Sequence, residues 1–402
     1  MIRQFTTIPR LLTPLKTRSF FLFGVRGSGK STFINSQFHP KNSISINLLR
    51  PEIENRYALN PESLEQEIDI LKRKPDWVFI DEIQKVPKLL DVVHDLIERK
   101  NIRFILTGSS ARKLKQGAAN LLAGRANVYW IHPLSYLELS PPSKTTSLFS
   151  LLEYLRWGGL PSIQSMSSER EKIAFLNSYV LTYLSEEIKA EQILRKLDPF
   201  RSFLQILGQV SGKIINHQKI ANEVGVDSKT VQNYFQILED TLLGFYLPVF
   251  HQSVRKSQRL SPKFYVIDTG IKKALEGSLD QKPAPRTSEY GELFEHFVIS
   301  EIKKLNDYFE KNFRFSFFST KNQVEIDLIL TKANSNILIE IKSTEKIDRQ
   351  EIKSLAKIAT DFPGVRGVYY LSRDPISYKI DGVQCLPWDL FLKKFKQISR
   401  ER

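Results

Sequence analysis

Two groups of residues in this 402-residue chain have types and spacings suited to one piece of chemistry, the handling of a nucleotide's phosphates. The first is Gly24-Val25-Arg26-Gly27-Ser28-Gly29-Lys30-Ser31-Thr32, where Gly24 and Gly29 set a G-x-x-x-x-G-K-S spacing. Glycines at Gly24, Gly27 and Gly29 let the loop, Ser28 included, curl so that successive N–H groups face one anion. Lys30 supplies positive charge for the outer phosphates. Ser31 offers a hydroxyl to Mg²⁺, and Thr32 follows it at the positive end of a helix that favours anions. The second group is Asp81-Glu82. Asp81 is placed to hold Mg²⁺ through water, and Glu82 to polarise the water that attacks a γ-phosphate. The cofactors these residues imply are a nucleotide and Mg²⁺.

Those side chains need a scaffold that brings two distant stretches to one edge. Phe20 to Phe23 reads as an apolar strand before the glycine-rich turn. Trp77 to Ile80 reads as a buried strand whose end carries the two carboxylates, where ligands of a parallel sheet gather. Further strands are expected at Ser43 to Leu48, Arg103 to Thr107 and Asn127 to Ile131. Helices are expected between them, at Pro61 to Lys72 and Lys88 to Lys100. The expected class is α/β, with a parallel sheet of P-loop type. Thr107 and Ser109, at the end of the strand from Arg103, could sense a γ-phosphate; a strand-terminating turn accounts for the same residues. Arg125 follows a loop, from which an arginine can reach a neighbouring subunit's nucleotide or simply form a surface ion pair.

Taken in order, Gly24 to Thr32, Ile80-Asp81-Glu82-Ile83-Gln84, Thr107-Gly108-Ser109-Ser110, Leu122-Ala123-Gly124-Arg125 and Pro133-Leu134-Ser135-Tyr136-Leu137-Glu138 resemble the bacterial and archaeal AAA-type (AAA_14-like) ATPases whose C-terminal part is the DUF4143 domain. The resemblance runs from about Ile2 to Ser343. It implies that the glycine-rich loop is a Walker A motif and that Asp81-Glu82 is the Walker B pair. It further implies that Arg125 is an arginine finger, and with it a homo-oligomer for which a hexamer is one size.

The expected division is an ATPase core over 1–140, a helical lid over 141–200, a winged helix over 201–255 and a nuclease-like domain over 256–402. Ser140-Pro141-Pro142-Ser143-Lys144-Thr145-Thr146-Ser147 is a loop-forming linker. Beyond it Trp157-Gly158-Gly159-Leu160-Pro161 resembles the family's Gly-Gly-x-Pro turn, and Ile173, Leu176, Val180, Leu184 and Ile188 recur at helical spacing. From Lys219 to Tyr234 the chain carries Ala221, Gly225-Val226 and Thr230-Val231 at helix-turn-helix spacing, with Lys229, Gln232, Asn233 and Gln236 on the exposed face of the second helix. Arg255, Lys256, Arg259 and Lys263 add positive charge. Further on, a helix with Glu295, a strand with Asp327, and Glu340 two residues before Lys342 on one strand face resemble the PD-(D/E)xK nuclease fold. That resemblance implies Mg²⁺ held by Glu295, Asp327 and Glu340, with Lys342 orienting or activating water for attack on a phosphodiester.

Composition narrows the partners. With 59 Lys and Arg against 44 Asp and Glu, the formal charge of +15 suits a polyanionic partner such as DNA or RNA, although it fits an anionic membrane surface too and a charged surface is also simply soluble. The single cysteine, Cys385, excludes an intrachain disulfide and a cysteine-rich metal site, and no apolar run reaches membrane-span length. A cytoplasmic chain without a membrane contact is expected. The expected function is Mg²⁺-dependent ATP hydrolysis by an oligomer acting on DNA as a motor or remodeller, with nuclease activity left open. The alternative is an ATP-gated switch that binds a protein partner and carries an inactive nuclease-like domain.

Overall fold

The computed structural model describes residues 8–38, 42–110, 122, 124–140, 150–183, 198–251, 253, 257, 260–319 and 325–398. Ile2, Ala123, Pro141 to Ser147, Leu184, Ile188, Arg255, Lys256 and Arg259, all named above, lie outside them. The chain divides into two compact units, Met1–Leu134 with Asp240–Leu243, and Ser135–Glu239 with Gly244–Arg402.

The first unit is built on five strands, β1 (Ser19–Phe23), β2 (Ser43–Asn47), β3 (Trp77–Asp81), β4 (Phe104–Gly108) and β5 (Ala126–Trp130). They form one sheet in the order β2-β3-β4-β1-β5, and every pairing is parallel. β1 and β4 are buried at every position, which is why they read as continuous apolar runs rather than alternating ones. On one face Phe21, Phe23, Val78, Ile80 and Leu106 join Leu89, Val93 and Leu96 of helix Leu89–Lys100 in the core. On the other, Phe20 meets Phe38, Trp77 and Tyr129 at ring-centroid distances of 5.3, 5.9 and 5.4 Å, tilted against Phe38 and edge-on to the other two, within the range that aromatic pairs favour. The expected strands stand within a residue of these bounds. A further helix, Pro51–Leu59, with Pro at its start and Glu52 and Glu54 in its first turn, precedes the shorter helix Ser63–Asp69.

The second unit opens with the capping box of Ser135 and Glu138 and the helices Leu151–Trp157 and Glu169–Ser178. Helices Asp198–Val210, His217–Val224 and Ser228–Asp240 follow, then the antiparallel pair β6 (Gly244–Leu247) and β7 (Lys263–Val266). Gly225 turns between the second and third of these helices at φ 75°, a conformation few other residues adopt. Helix Thr269–Glu276 packs against Leu151–Trp157, Glu169–Ser178 and Asp198–Val210, and apart from Asp240–Leu243 the segments expected as lid, winged helix and nuclease-like part share one compact unit.

Helix Ser288–Tyr308 leads into a six-stranded mixed sheet, β8 (Arg314–Ser319), β9 (Glu325–Lys332), β10 (Ser335–Ile341), β11 (Val365–Ser372), β12 (Tyr378–Ile380) and β13 (Val383–Pro387), ordered β12-β13-β11-β10-β9-β8. The architecture is therefore α/β: a P-loop-type parallel sheet followed by a C-terminal α/β region.

His296 in the long helix is fully buried. Its Nε2 donates to Val266 O at 2.7 Å, which leaves Nδ1 to accept from Ser211 Oγ at 3.5 Å. Burial, with Lys272 and Lys304 nearby, pushes its pKa down to about 3. The unfolded chain therefore takes up this proton first, and stability is lost as pH falls from about 6.5 toward 3. We expect His296→Gln to remove up to about 1.4 kcal/mol per pH unit of that slope, read as urea midpoints between pH 4 and 7.

Candidate functional site

The glycine-rich loop leaves the carboxyl end of β1, between β4 and β5. Gly24 donates its N–H to Gly108 O at 3.3 Å, and a Cβ there would stand 2.2 Å from Ile131 O, so no larger residue fits. Gly29, at φ 93°, caps helix Lys30–Gln37. Lys30 is buried, and its Nζ donates to Gly24 O at 2.7 Å, back into the loop. Ser28 is fully buried and its Oγ has no hydrogen-bond partner among the described residues, while Ser31 and Thr32 are exposed on the first turn of the helix. An orphaned hydroxyl, a backbone cradle and a helix N-terminus are the donor set an oligophosphate requires, and Ser31 with Asp81 is a fitting oxygen pair for Mg²⁺.

The carboxylates stand one strand further on. Because β4 lies between β1 and β3, its end bridges the loop and the acids. Thr107 Oγ1 donates to Asp81 Oδ1 and accepts from Glu82 N at 3.2 Å. Glu82 is buried and takes a left-handed backbone, φ 59°. One of its oxygens, Oε2, accepts from Ser109 N at 3.2 Å, from Ser109 Oγ at 3.1 Å and from Gln84 Nε2. Gln84 Nε2 also reaches Ser109 Oγ at 3.2 Å. Thr107 and Ser109, considered as phosphate sensors in the sequence, thus hold Asp81 and Glu82. Gln84 is a site residue that the reading by position did not single out, although it closes the same five-residue segment. Arg125 pairs with Glu98 of its own chain, both partners being well exposed, the arrangement of an ordinary surface ion pair.

The C-terminal residues gather differently. Asp327 is buried, and its Oδ2 accepts from Ile341 N at 2.8 Å. Burial raises its pKa well above the usual range, with Glu340 and then Glu295 adding to it. Burial raises Glu340 as well; its Oε1 meets Lys342 Nζ at 2.6 Å, and its Oε2 is buried without a hydrogen-bond partner among the described residues. Glu295 is engaged elsewhere: Tyr265 OH donates to its Oε1 at 2.8 Å, and Lys263 Nζ lies 3.4 Å from the same oxygen and 2.8 Å from Glu325 Oε1. In the sequence Lys263 stands only as one of four basic residues. Burial pulls its pKa down, yet Glu295 and Glu325 raise it above the ordinary lysine value. Among the described residues, no group of three or more His, Cys, Asp or Glu side chains gathers closely enough to hold a metal ion, so the set Glu295, Asp327 and Glu340 does not fit a Mg²⁺ as it stands. Lys229, Gln232, Asn233 and Gln236 all lie exposed on helix Ser228–Asp240. Among the described residues, no helix is long and apolar enough to cross a membrane.

Comparison with known proteins places families on these segments. Residues 16–140 match a family model described as an AAA domain. Residues 148–282 match DUF8612 and residues 290–391 match DUF4143, both described as domains of unknown function. An uncharacterised protein of Mycobacterium tuberculosis is 26% identical over 327 residues, covering 78% of this chain and 69% of its own. An uncharacterised protein of Haemophilus influenzae is 23% identical over 384 residues, covering 90% and 91%. Among solved structures, the Aeropyrum pernix ORC2 protein in its ADPNP-ADP complexes aligns over 66% of this chain and 87% of its own at 11% identity, with a TM-score of 0.33, too low to bear on function. The chain carries an AAA domain and, toward its C-terminus, a DUF4143 domain.

Proposed function

We propose that this chain, an AAA-domain protein, hydrolyses ATP with Mg²⁺ and couples that hydrolysis to DNA. The observation that carries the reading is the clamp on Glu82. A buried carboxylate with three donors on one oxygen has the other left to accept a proton from water, and it stands beside a loop built for phosphates. Gly24 to Gly29 would wrap the β-phosphate with N–H groups, and Lys30 would exchange Gly24 O for the outer phosphates. Ser31 and Asp81 would hold Mg²⁺, which supplies charge neutralisation on the phosphates. Glu82 would take the proton of the attacking water, while Thr107 keeps Asp81 and Glu82 in register. Arg125 would have to leave Glu98 to act on a neighbouring subunit's nucleotide, which makes oligomerisation the step that engages it.

Gln84 acts in this scheme only through Glu82. Replacing it by Leu removes one donor to a charged oxygen and fills the same space. We expect Gln84→Leu to lower kcat about tenfold, in line with roughly 1.5 kcal/mol for such a bond, and to leave ATP affinity unchanged in a fluorescent-nucleotide titration.

The link to DNA is supported by the formal charge of +15 and by the polar face of Lys229, Gln232, Asn233 and Gln236, whose side chains suit phosphates and base edges. Steady-state ATP turnover at fixed salt, with and without double-stranded DNA, tests it. A rise of several-fold is expected, fading as salt increases. A rate indifferent to DNA at low salt would remove DNA from the account and favour the switch that binds a protein partner.

A further inference from the structure

We propose that Lys263 is the resident cation of the C-terminal carboxylate centre, doing for Glu295 and Glu325 what a divalent ion was expected to do for the acidic set. The centre then takes up no ion while that ammonium is in place.

The geometry rests on three segments. Lys263 opens β7, opposite Leu247 of β6, and its side chain is only 8% exposed. From there Nζ spans Glu325 Oε1 at 2.8 Å, at the start of β9, and Glu295 Oε1 at 3.4 Å, in helix Ser288–Tyr308. The ring of Phe317 lies 5.2 Å away, so the ammonium is enclosed by carboxylates and an aromatic face. Tyr265 stands two residues on, and strand alternation puts it on the same side of β7. Its hydroxyl donates to the very oxygen of Glu295 that Lys263 contacts. On the far side of the cluster Lys342 occupies Glu340 Oε1, and the Ile341 amide occupies Asp327 Oδ2.

A charged group drawn out of water needs a partner, and the buried member here is the ammonium, 8% exposed, between Glu295 and Glu325 at 23% and 43%. A divalent ion needs several free oxygens at about 2.0–2.6 Å, whereas Glu295 Oε1, Glu340 Oε1 and Asp327 Oδ2 each already meet an N–H or O–H donor. Here an ammonium anchored to a strand meets the requirement instead. Its removal would leave Glu295, Glu325 and Asp327 with a demand for charge that a soluble ion can fill.

The test is Mn²⁺ binding to the full-length protein without nucleotide, followed by electron paramagnetic resonance of the free ion. The expected result is the same Mn²⁺ stoichiometry for the wild type and for Asp327→Asn. Lys263→Met is expected to gain one Mn²⁺ per chain, and the double variant Lys263→Met with Asp327→Asn to lose it again. A wild-type ion lost on Asp327→Asn would overturn the proposal, and so would a folded Lys263→Met that gains none. The first comparison leaves Lys263 untouched and therefore decides the matter even if Lys263→Met fails to fold. Neither comparison depends on ATP turnover, so the result stands apart from the ATPase reading.

Discussion

Glu82→Gln is expected to bind ATP as the wild type does and to turn it over about 10²- to 10⁴-fold more slowly, the range that removal of a general base costs. The amide keeps the size of the carboxylate, so the donors on Oε2, Ser109 N, Ser109 Oγ and Gln84 Nε2, retain an acceptor nearby. What is lost is the basic oxygen. Single-turnover hydrolysis alongside an equilibrium nucleotide titration separates the two effects. Full turnover in this variant would show that another group takes the proton.

Lys30→Ala should fail one step earlier. Lys30 is buried, and its ammonium is the positive side chain at the end of the loop that Gly24 and Gly29 shape. Truncation removes a charge-assisted contact worth about 1.5–3 kcal/mol, which corresponds to roughly 10- to 150-fold in affinity, and it removes the same charge from the transition state. Turnover should therefore fall further than binding does, to the level of a protein-free control. Nucleotide affinity measured by fluorescence, with turnover measured on the same preparation, checks both parts.

Most of the nucleotide-binding unit was legible because its signals are local. The spacing from Gly24 to Thr32 and the apolar run ending at Asp81 each lie within a dozen residues, and buried parallel strands announce themselves by unbroken apolar stretches such as Phe20 to Phe23. Helix Pro51–Leu59 carried readable start signals in Pro51, Glu52 and Glu54, but its apolar face is narrow, with Tyr57 as its buried residue, and periodicity alone passes over it. Gln84 was invisible as a site residue because its partner Ser109 lies in the turn after β4, 25 residues along the chain. The same holds at the C-terminal centre. Glu295, Asp327, Glu340 and Lys342 could be read as a set from their order and spacing, whereas Lys263 and Tyr265 reach that set from a hairpin about 30 residues upstream of Glu295. A lysine and a tyrosine alternating on a strand otherwise made of Phe264 and Val266 were the available hint, since a buried lysine requires a carboxylate partner. Arg125 shows the converse. Its place after the sensor strand suggested action on a neighbour, but position in sequence carries no information on Glu98, the partner it meets in its own chain.

The measurement that bears most directly on the ATPase reading is phosphate release from ATP by the full-length protein, with Mg²⁺ and with EDTA, alongside Lys30→Ala from the same purification. We expect steady release with Mg²⁺ that stops with EDTA and is absent from Lys30→Ala. Release at the same rate in Lys30→Ala, or none from the wild type with Mg²⁺ present, would contradict it.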